Sequence, residues 1–553
     1  MSALRLLDVQ DTMIVRACNN KGKLIKKKKN EKLTFYSLGY IAKYDLGYEM
    51  DKEFQKYWIN RAYDDAHSDA AIRYAAYDTI ILAAVHTCQG HTRYRASAIG
   101  ATRAINEHIV QETSFIKHIA HTEYVGIGFD SVKWAERATQ EELQCEEAKY
   151  ALIDEVNAAT NNKYISDQTD MFGLPEFTLN FNSPIQLLKF CNEDLKLNIT
   201  DTAADTLEKH KDNSIINHLL EYRKLAKEVS TYGSNFLEYI NPTTNRIHTN
   251  YWQIANTNRL RSRYPNMQNI PQALKYRECF KAVGIGRTLV IADYSSQESR
   301  ILAHLSQDPD LLAFYKDTTE GADLHSFVAQ KLYPETVGTV RLTDVKLLFP
   351  KERQNAKAAN FALAYGGDAH TIANNLGVSL AIGKSVEDAY FKAFPTLKTY
   401  FNRIYRTALT CGYILIPGRG GVAWLPEYEL YTKLKKSSRD YTLSQYNQDK
   451  VEALELEYKG MAYNWPIQGL AAMMTKKADA MFSDAQDIDT EYQSTSSIHV
   501  VSYIHDELIV ECDTGDAEDV AYSLTTHMER AAIEICSTVP VPADFVISSH
   551  WLK

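Results

Sequence analysis

Two stretches of the chain place acidic residues where an apolar pattern stops. Residues 288–292 read TLVIA and predict a buried strand that ends at Asp293, where a helix start follows. Residues 499–511 read HVVSYIHDELIVE, two apolar strands around a polar tip. They predict a hairpin with Asp506 and Glu507 at its turn. Each element therefore presents a carboxylate at the end of a strand.

A third stretch predicts a helix whose charged and aromatic positions repeat every four residues. Pro350 suits the helix start, and the two glycines at 366–367 suit its end. Arg353, Lys357, Phe361 and Tyr365 then share one broad face about 18 Å long. A nucleoside triphosphate laid along that face would meet the cations with its phosphates and the aromatics with its sugar and base. The alternative is an amphipathic helix with basic residues in water and aromatics in the core.

The carboxylates also have structural interpretations. Asp293, beside backbone carbonyls at a strand end, can bind a hard cation such as Mg²⁺. Ser295 and Glu298, which follow it, fit a helix capping box as well. Asp506 and Glu507 repel each other unless a divalent cation neutralises them, but a merely polar turn would show the same residues.

Composition narrows the class of protein. At about 150 residues per domain, 553 residues predict three to four domains. Helical patterns over 101–240 and 300–405, with strands at Arg246–Thr249 and Thr288–Ala292, predict a multi-domain α+β fold. The net charge of −9 gives no sign of nucleic acid, although a large enzyme can confine positive charge to one cleft. The sequence has no long apolar run and no secretory signal, so we expect a cytoplasmic protein without a membrane span. It has no C-x-x-C pair, so we expect neither a zinc site nor a disulfide framework.

In their order and separation, the three stretches resemble the motifs of family A DNA polymerases, the family of the bacterial repair polymerase and the phage replicative enzymes. The palm motif resembles Asp293-Tyr294-Ser295 with Glu298, the R-x3-K-x7-YG motif is met from Arg353 to Gly366, and the H-D-E motif is met by residues 505–507. The resemblance extends over about residues 105–553. Further matches are Arg259 with Pro265–Pro271, Asp323-Leu324-His325, Asn464-x3-Gln468-Gly469 and Tyr222-Arg223-x-Leu225-Ala226-Lys227.

The resemblance implies a right-hand polymerase fold and template-directed DNA synthesis from dNTPs on a primer-template, as in phage DNA replication. The expected domains are an exonuclease-like segment (1–100), connecting helices and thumb (101–240), palm (241–300 and 405–553) and fingers (301–404). The alternatives are a single-subunit RNA polymerase and a catalytically inactive, polymerase-like DNA-binding subunit.

The resemblance also implies roles for the reacting centre. Asp293 and Asp506, with the carbonyl of Tyr294, would hold two Mg²⁺ ions, and Glu507 would be an auxiliary carboxylate. Lys357 would protonate the pyrophosphate.

The other implied roles concern substrate and DNA. Among the residues expected to bind the nucleotide, Arg353 and His325 would contact the triphosphate and Phe361 the deoxyribose. Tyr365 would lie beside the templating base. Glu298 would lie where a ribose 2′-hydroxyl must go, with Gln297 in the same pocket. The DNA set places Arg259, Asn464 and Gln468 in the minor groove and His505 on the primer backbone.

The chain departs from the family pattern at several positions. Ser296-Gln297 stands where the family reads Gln-Ile, and Ser299 replaces Leu, so the residues beneath the sugar pocket differ from those of the family. Gly460 stands at a position that usually carries Arg. Tyr428–Lys459 resembles a charged insertion.

The N-terminal hundred residues carry a separate expectation. Asp78 lies in a Y-x3-D motif like the end of the family's proofreading exonuclease domain, but the upstream acidic motifs of that domain find no match. We therefore expect no metal-dependent 3′–5′ exonuclease activity from this chain alone. Two explanations compete: the segment is a scaffold remnant, or a separate exonuclease or replication subunit docks on residues 1–100 and completes the domain.

Overall fold

A computed structural model describes residues 101–169, 175–316, 323–440, 444–486 and 497–552. The exonuclease-like segment at 1–100, with Asp78 and the expected docking of another subunit, lies outside the described residues.

Helices account for more than half of the described residues. The α-helices are α1 (Thr102–Val125), α2 (Ser131–Thr160), α3 (Pro184–Glu193), α4 (Ala204–Glu208), α5 (Ser214–Tyr232), α6 (Leu274–Arg277), α7 (Gln297–Ser306), α8 (Pro309–Lys316), α9 (Leu324–Leu332), α10 (Leu342–Leu348), α11 (Pro350–Ala364), α12 (Ala369–Leu376), α13 (Leu380–Ala393), α14 (Pro395–Cys411), α15 (Tyr428–Asp440), α16 (Gln445–Ala485) and α17 (Ala517–Ile535).

The strands are short, apart from those that carry the predicted carboxylates. They are β1 (Ile127–Phe129), β2 (Ile165–Thr169), β3 (Pro175–Phe177), β4 (Ile240–Asn241), β5 (Arg246–Ile247), β6 (Asn250–Trp252), β7 (Arg261–Arg263), β8 (Phe280–Lys281), β9 (Arg287–Tyr294), β10 (Tyr413–Leu415), β11 (Val422–Trp424), β12 (His499–Ile504), β13 (Glu507–Asp513) and β14 (Ala543–Ser548).

The chain divides into two compact units. The first contains residues 101–125, Asn250–Gln268 and Leu289–Ile547, and the second contains Gly126–Thr249, Asn269–Thr288 and the C-terminal segment from Ser548. The finer division into thumb, palm and fingers stays a prediction.

A four-stranded sheet with the order β12-β13-β9-β14 lies at the centre of the first unit. Residues 289–292 of β9 are fully buried, as expected for an apolar strand between two neighbours. Helices α16 and α17 pack against each other and against β13, and α7 packs against α16. This packing fixes the ends of β9 and of the β12–β13 hairpin in one rigid layer.

The first unit also buries an ion pair. The Lys476 ammonium lies 2.7 and 2.8 Å from the two carboxylate oxygens of Glu112 and donates to the backbone carbonyl of Gln253 at 2.6 Å. The ring of His108 lies 3.3 Å from the same carboxylate. Burial raises the pKa of Glu112, but Lys476 and His108 outweigh burial and lower it to about 2. The carboxylate is therefore charged and fully paired inside the core.

The second unit combines helices with a small sheet of order β4-β5-β1-β8. Helix α2 packs along α5. An aromatic cluster of Phe129, Trp134, Phe236 and Phe280 joins the sheet to these helices, with Trp134 stacked on Phe236 at 4.4 Å. This cluster gives the unit a core of its own.

Most predicted elements are confirmed by the structure. The strand at 288–292 is β9, the hairpin at 499–511 is β12–β13, and the helix from Pro350 is α11. The strand predicted at Arg246–Thr249 is shorter, because only Arg246 and Ile247 pair with β4 and β1. The charged segment Tyr428–Lys459 forms α15 and the start of α16, joined by a Lys435–Glu455 ion pair at 2.8 Å.

The capping-box interpretation of Ser295 and Glu298 is wrong. Helix α7 begins at Gln297, and its N-cap is Ser296, whose backbone is left-handed with φ of 55° and whose side chain caps no N–H of this helix. The Ser295 hydroxyl donates to the Asp544 carboxylate instead. Glu298 is therefore available for longer-range contacts.

None of the described helices is long and apolar enough to cross a membrane.

Candidate active site

Strand β9 delivers Asp293 to the end of the central sheet. The preceding strand residues are buried, and the Tyr294 hydroxyl anchors the strand end by donating to the Met528 carbonyl at 2.7 Å. Arg300 holds the following loop, since its guanidinium donates to the Ser295 carbonyl at 2.9 Å and to the Pro540 carbonyl at 2.7 Å. Asp293 therefore lies between a buried strand and a loop that side chains tie to backbone carbonyls.

The β12–β13 hairpin delivers the second carboxylate. Ile504 pairs with Glu507, so His505 and Asp506 form its two-residue turn. His505 has the left-handed φ of 60° that such tight turns require, and its side chain is exposed. Glu507 is buried.

The charges of Asp293 and Asp506 interact. Burial, followed by the negative charge of Asp293, raises the pKa of Asp506 to about 7. Because the Asp293 charge opposes ionisation of Asp506, a bound divalent cation would lower the energy of the pair. Among the described residues, no group of three or more His, Cys, Asp or Glu side chains could hold a metal. Carboxylate and backbone carbonyl oxygens are the donors that Mg²⁺ prefers, and the ends of β9 and of the hairpin present both kinds.

The N-terminal half of α11 carries the predicted cations. Arg353 donates to the Asp323 carboxylate from Nη2 at 3.0 Å and from Nε at 3.3 Å. Burial raises the pKa of Asp323, but the Ser326 hydroxyl and Arg353 outweigh burial and hold it below its usual value. Asp323 also caps α9 by accepting from the Ser326 N–H. Asp323 thus orients Arg353, a contact that sequence reasoning missed and that only its N-cap position before α9 could have suggested.

His325 faces α11 from the first turn of α9. Its ring lies 5.6 Å from that of Phe361. Its Nδ1 is buried and has no hydrogen-bond partner among the described residues. Burial lowers the pKa of His325, and the charges of Arg353 and Lys357 lower it further against the opposing effect of Asp323. A neutral imidazole with one unused nitrogen is therefore directed at the site.

Phe361 and Tyr365 are partly exposed, at 46% and 40%, and neither belongs to the buried core. The alternative that the aromatics of α11 pack in the core is therefore wrong. Lys357 lies over the Phe361 ring at 5.9 Å.

Glu298 joins three parts of the first unit. Its Oε2 accepts from the Tyr365 hydroxyl at 2.5 Å, and its Oε1 accepts from the Arg259 guanidinium. Burial and the charge of Glu298 raise the pKa of Tyr365 to about 12, so the phenol keeps its proton. Gln468, on α16, interacts with the same phenol, and Asn464 lies one turn before it. This cluster ties the end of α11 to the start of α7.

The C-terminal end of α11 packs on bare backbone. A Cβ added to Gly366, which has a φ of +79°, would lie 2.6 Å from the Gly460 Cα. A side chain at Gly366 would be strained both by the positive φ and by the backbone of Gly460.

A cavity of about 740 Å³ brings six of the predicted site residues together, and Gln297 is one of them. Its walls include Glu298, His325, Arg353, Phe361 and Asp506. A smaller pocket is lined by Arg259 and His505. Asp293, Glu507, Lys357 and Tyr365 are not among the residues that line the large cavity. Lys357 and Tyr365 nevertheless contact residues that do.

The sequence model of DNA polymerase family A matches residues 151–553. The chain belongs to DNA polymerase family A. Two of its curated relatives are DNA polymerase I of Lactococcus lactis subsp. cremoris, 31% identical over 414 residues, and DNA polymerase I of Bacillus caldotenax, 31% identical over 389 residues. These alignments cover 72% and 67% of this chain but only 43% and 40% of the relatives. The chain thus spans about two fifths of their length.

A solved structure has the same fold. The POL domain of Pol1 from M. smegmatis, in complex with a DNA primer-template and dNTP, superposes with a TM-score of 0.74 at 23% identity. The match covers 98% of this chain and 81% of that domain. The predicted family and the α+β right-hand polymerase fold are confirmed, while the roles of the individual site residues stay predictions.

Proposed function

We propose that this chain is a template-directed DNA polymerase that adds deoxynucleoside triphosphates to a primer 3′-hydroxyl. The carrying observation is the single cavity that brings Arg353, His325, Phe361, Glu298 and Asp506 together. Nucleotidyl transfer depends on positioning and on charges arranged around phosphate oxygens, and these residues offer both. The solved POL domain of the same fold was captured with primer-template and dNTP, which supports the same partners here.

The triphosphate is bound by the first half of α11 and by α9. Asp323 accepts from only two N–H groups of Arg353, so the remaining guanidinium donors are available to phosphate oxygens. A phosphate beside His325 would favour its protonated, donating form. Lys357, exposed on the same face, protonates the leaving pyrophosphate.

Asp293, Asp506 and the Tyr294 carbonyl would hold two Mg²⁺ ions, with Glu507 as an auxiliary carboxylate. When bound, the two ions lower the pKa of the primer hydroxyl and neutralise charge on the pyrophosphate. The raised pKa of Asp506 supports this assignment, because burial beside Asp293 disfavours two uncompensated negative charges.

The other predicted contacts check the sugar and the base pair. Phe361 packs under the deoxyribose, Glu298 occupies the space of a ribose 2′-hydroxyl, and Tyr365 lies beside the templating base. Acceptors that every base pair presents in the minor groove meet Arg259 and the α16 residues Asn464 and Gln468. His505, exposed at the hairpin tip, contacts the primer backbone.

The proposed cellular setting rests on the sequence alone. We place the enzyme in the cytoplasm, in phage DNA replication, although the curated relatives quoted above are bacterial. Docking of a second subunit on residues 1–100 belongs to the same proposal.

Primer extension with a labelled primer, with and without Mg²⁺, tests the proposed activity. We expect D293N and D506N to lower extension by about 1,000-fold or more, because metal clamps contribute several kcal/mol to the transition state. Primer-template affinity should stay within about twofold, since phosphate contacts dominate it. The control is Asp484→Asn, which removes an exposed carboxylate paired with Lys117.

The outcomes separate the candidates. Extension by D293N within about tenfold of the wild type would overturn the metal assignment. Extension with rNTPs in preference to dNTPs would indicate an RNA polymerase. Primer-template binding without extension by the wild type would indicate a catalytically inactive DNA-binding subunit.

A further inference from the structure

The first residue of α7 makes a polar contact inside the core. Gln297 is only 4% exposed, and its Nε2 lies 3.3 Å from the Ala471 carbonyl and 3.4 Å from the Thr475 hydroxyl, both on α16. The sulfur of Met474 lies 3.5 Å from the same nitrogen. A carboxamide in this position links the start of α7 to the middle of α16.

This contact occupies a position where the family reads Ile. Burying an amide is unfavourable unless its groups find hydrogen-bond partners, and here α16 supplies them. The Thr475 hydroxyl donates to the Ala471 carbonyl at 3.3 Å, so threonine and glutamine share one acceptor. A hydrogen bond is directional, whereas the packing of a branched alkyl group is not. The hydrogen bonds of Gln297 therefore fix the register of α7 against α16.

The start of α7 lacks a side-chain cap, and Arg300 ties its first turn to the Pro540 carbonyl rather than to α16. The N-cap residue Ser296 is left-handed and its side chain caps no N–H of the described helix. Ser295 bonds instead to Asp544. Gln297 is therefore the residue of the first turn that ties α7 to α16.

Glu298 follows Gln297 directly. Successive helical residues differ by about 100° in direction, so Gln297 can point to α16 while Glu298 points to Arg259 and Tyr365. Any rotation of the α7 start would carry the Glu298 carboxylate with it. The hold on Gln297 thus fixes the carboxylate that faces the nucleotide cavity.

We propose that Gln297 is a positioning residue for sugar selection, which acts through Glu298 and together with Thr475. The proposal rests on the polymerase function proposed above. It assigns Gln297 no direct contact with the nucleotide.

The test compares kcat/KM for a dNTP and the matching rNTP. Gln297→Met keeps the chain length and removes the amide, and Gln297→Ile restores the family residue if the first variant folds poorly. We expect the dNTP/rNTP ratio to fall about fivefold, the effect of one net hydrogen bond. In a Glu298→Ala background, the same change should leave the ratio within about twofold, because the residue it positions is gone.

Thr475→Val should lower the ratio in the same direction. Its matched control is Thr525→Val, since Thr525 is a buried helical threonine that also donates to the carbonyl four residues before it, at 2.9 Å, but on α17. Gln486→Leu, which removes an amide contact with Ser523 at 3.0 Å, is the control for Gln297. Both controls should change the melting temperature without changing the ratio.

Three results would overturn the inference. The first is a dNTP/rNTP ratio that is unchanged in both Gln297 variants. The second is a change in this ratio that is as large in the Glu298→Ala background as in the wild type, which would indicate that Gln297 contacts the substrate directly. The third is an equal change in the Thr525 and Thr475 variants, which would make the effect one of general stability. A wild type that extends with neither substrate refutes the proposed function itself, and so is distinguishable from all three.

Discussion

Removing the Glu298 carboxylate should relax discrimination against ribonucleotides. The perturbation is Glu298→Ala, with Glu298→Gln as a variant of nearly equal size. In the structure the carboxylate is held from both sides, by the Tyr365 hydroxyl at 2.5 Å and by the Arg259 guanidinium. A ribose 2′-hydroxyl that enters this space must displace it.

The size of the effect follows from these two contacts. The hydrogen bond from Tyr365 contributes about 1 kcal/mol. The Arg259 pair is about one-third exposed, so we assign it no more than about 1 kcal/mol after solvent screening. Displacement therefore costs a ribonucleotide about 2 kcal/mol, and each 1.4 kcal/mol is about a tenfold effect. Glu298→Ala should raise relative rNTP use by about 30-fold.

Single-nucleotide incorporation by the variants measures this ratio. Glu298→Gln should keep most of the discrimination, because it keeps most of the volume. The matched control is Glu455→Ala, since Glu455 also accepts from a tyrosine hydroxyl (Tyr431, 2.9 Å) and pairs with a cation, Lys435, at 2.8 Å. A ratio that is unchanged in Glu298→Ala, or changed equally in Glu455→Ala, would refute the reasoning.

Further changes test other parts of the first unit. Phe361→Tyr should raise dideoxynucleotide incorporation about fivefold or more, because a phenol can replace the missing 3′-hydroxyl contact; equal chain termination would contradict the role. R353K should raise the KM for dNTP several-fold with a smaller effect on kcat, since lysine keeps the charge but loses the two-point contact with Asp323. Glu112→Gln should lower the melting temperature at pH 7, because it leaves Lys476 buried without its carboxylate partner. The folded pKa of Glu112 is lowered, so its stabilisation is present above about pH 4.5 and is lost as the pH falls toward 2. The difference in melting temperature between the wild type and Glu112→Gln should therefore become smaller as the pH falls over that range. A difference that stays constant with pH would contradict this.

The elements that carry the site could be predicted from the sequence. Strand β9 and the β12–β13 hairpin follow from unbroken apolar runs, and α11 follows from a proline, a pair of glycines and a spacing of four. These are local signals, and the packing of the first unit agrees with them.

The contacts between elements could not be predicted in the same way. Ser295 and Glu298 fit a local capping box, but Glu298 pairs with Arg259 and Tyr365, which are 39 residues before it and 67 residues after it. Gln297 is polar, so its pattern indicates exposure, and only the position of α16 shows that it is buried. A hydrogen bond between distant segments leaves no periodic trace in either of them.

The central sheet also determines when activity can emerge during folding. Asp293 and Asp506 are more than 200 residues apart along the chain. Asp293 lies near the end of β9, and Asp506 lies in the turn before β13, which is the neighbour of β9 in the sheet. Closing so long a loop has an entropic cost that only the completed sheet repays, which makes such pairings slow. A nascent or partly refolded chain can therefore contain α11, with its cations and aromatics, before the two carboxylates meet. DNA synthesis should therefore return only with the completed sheet when the denatured chain refolds.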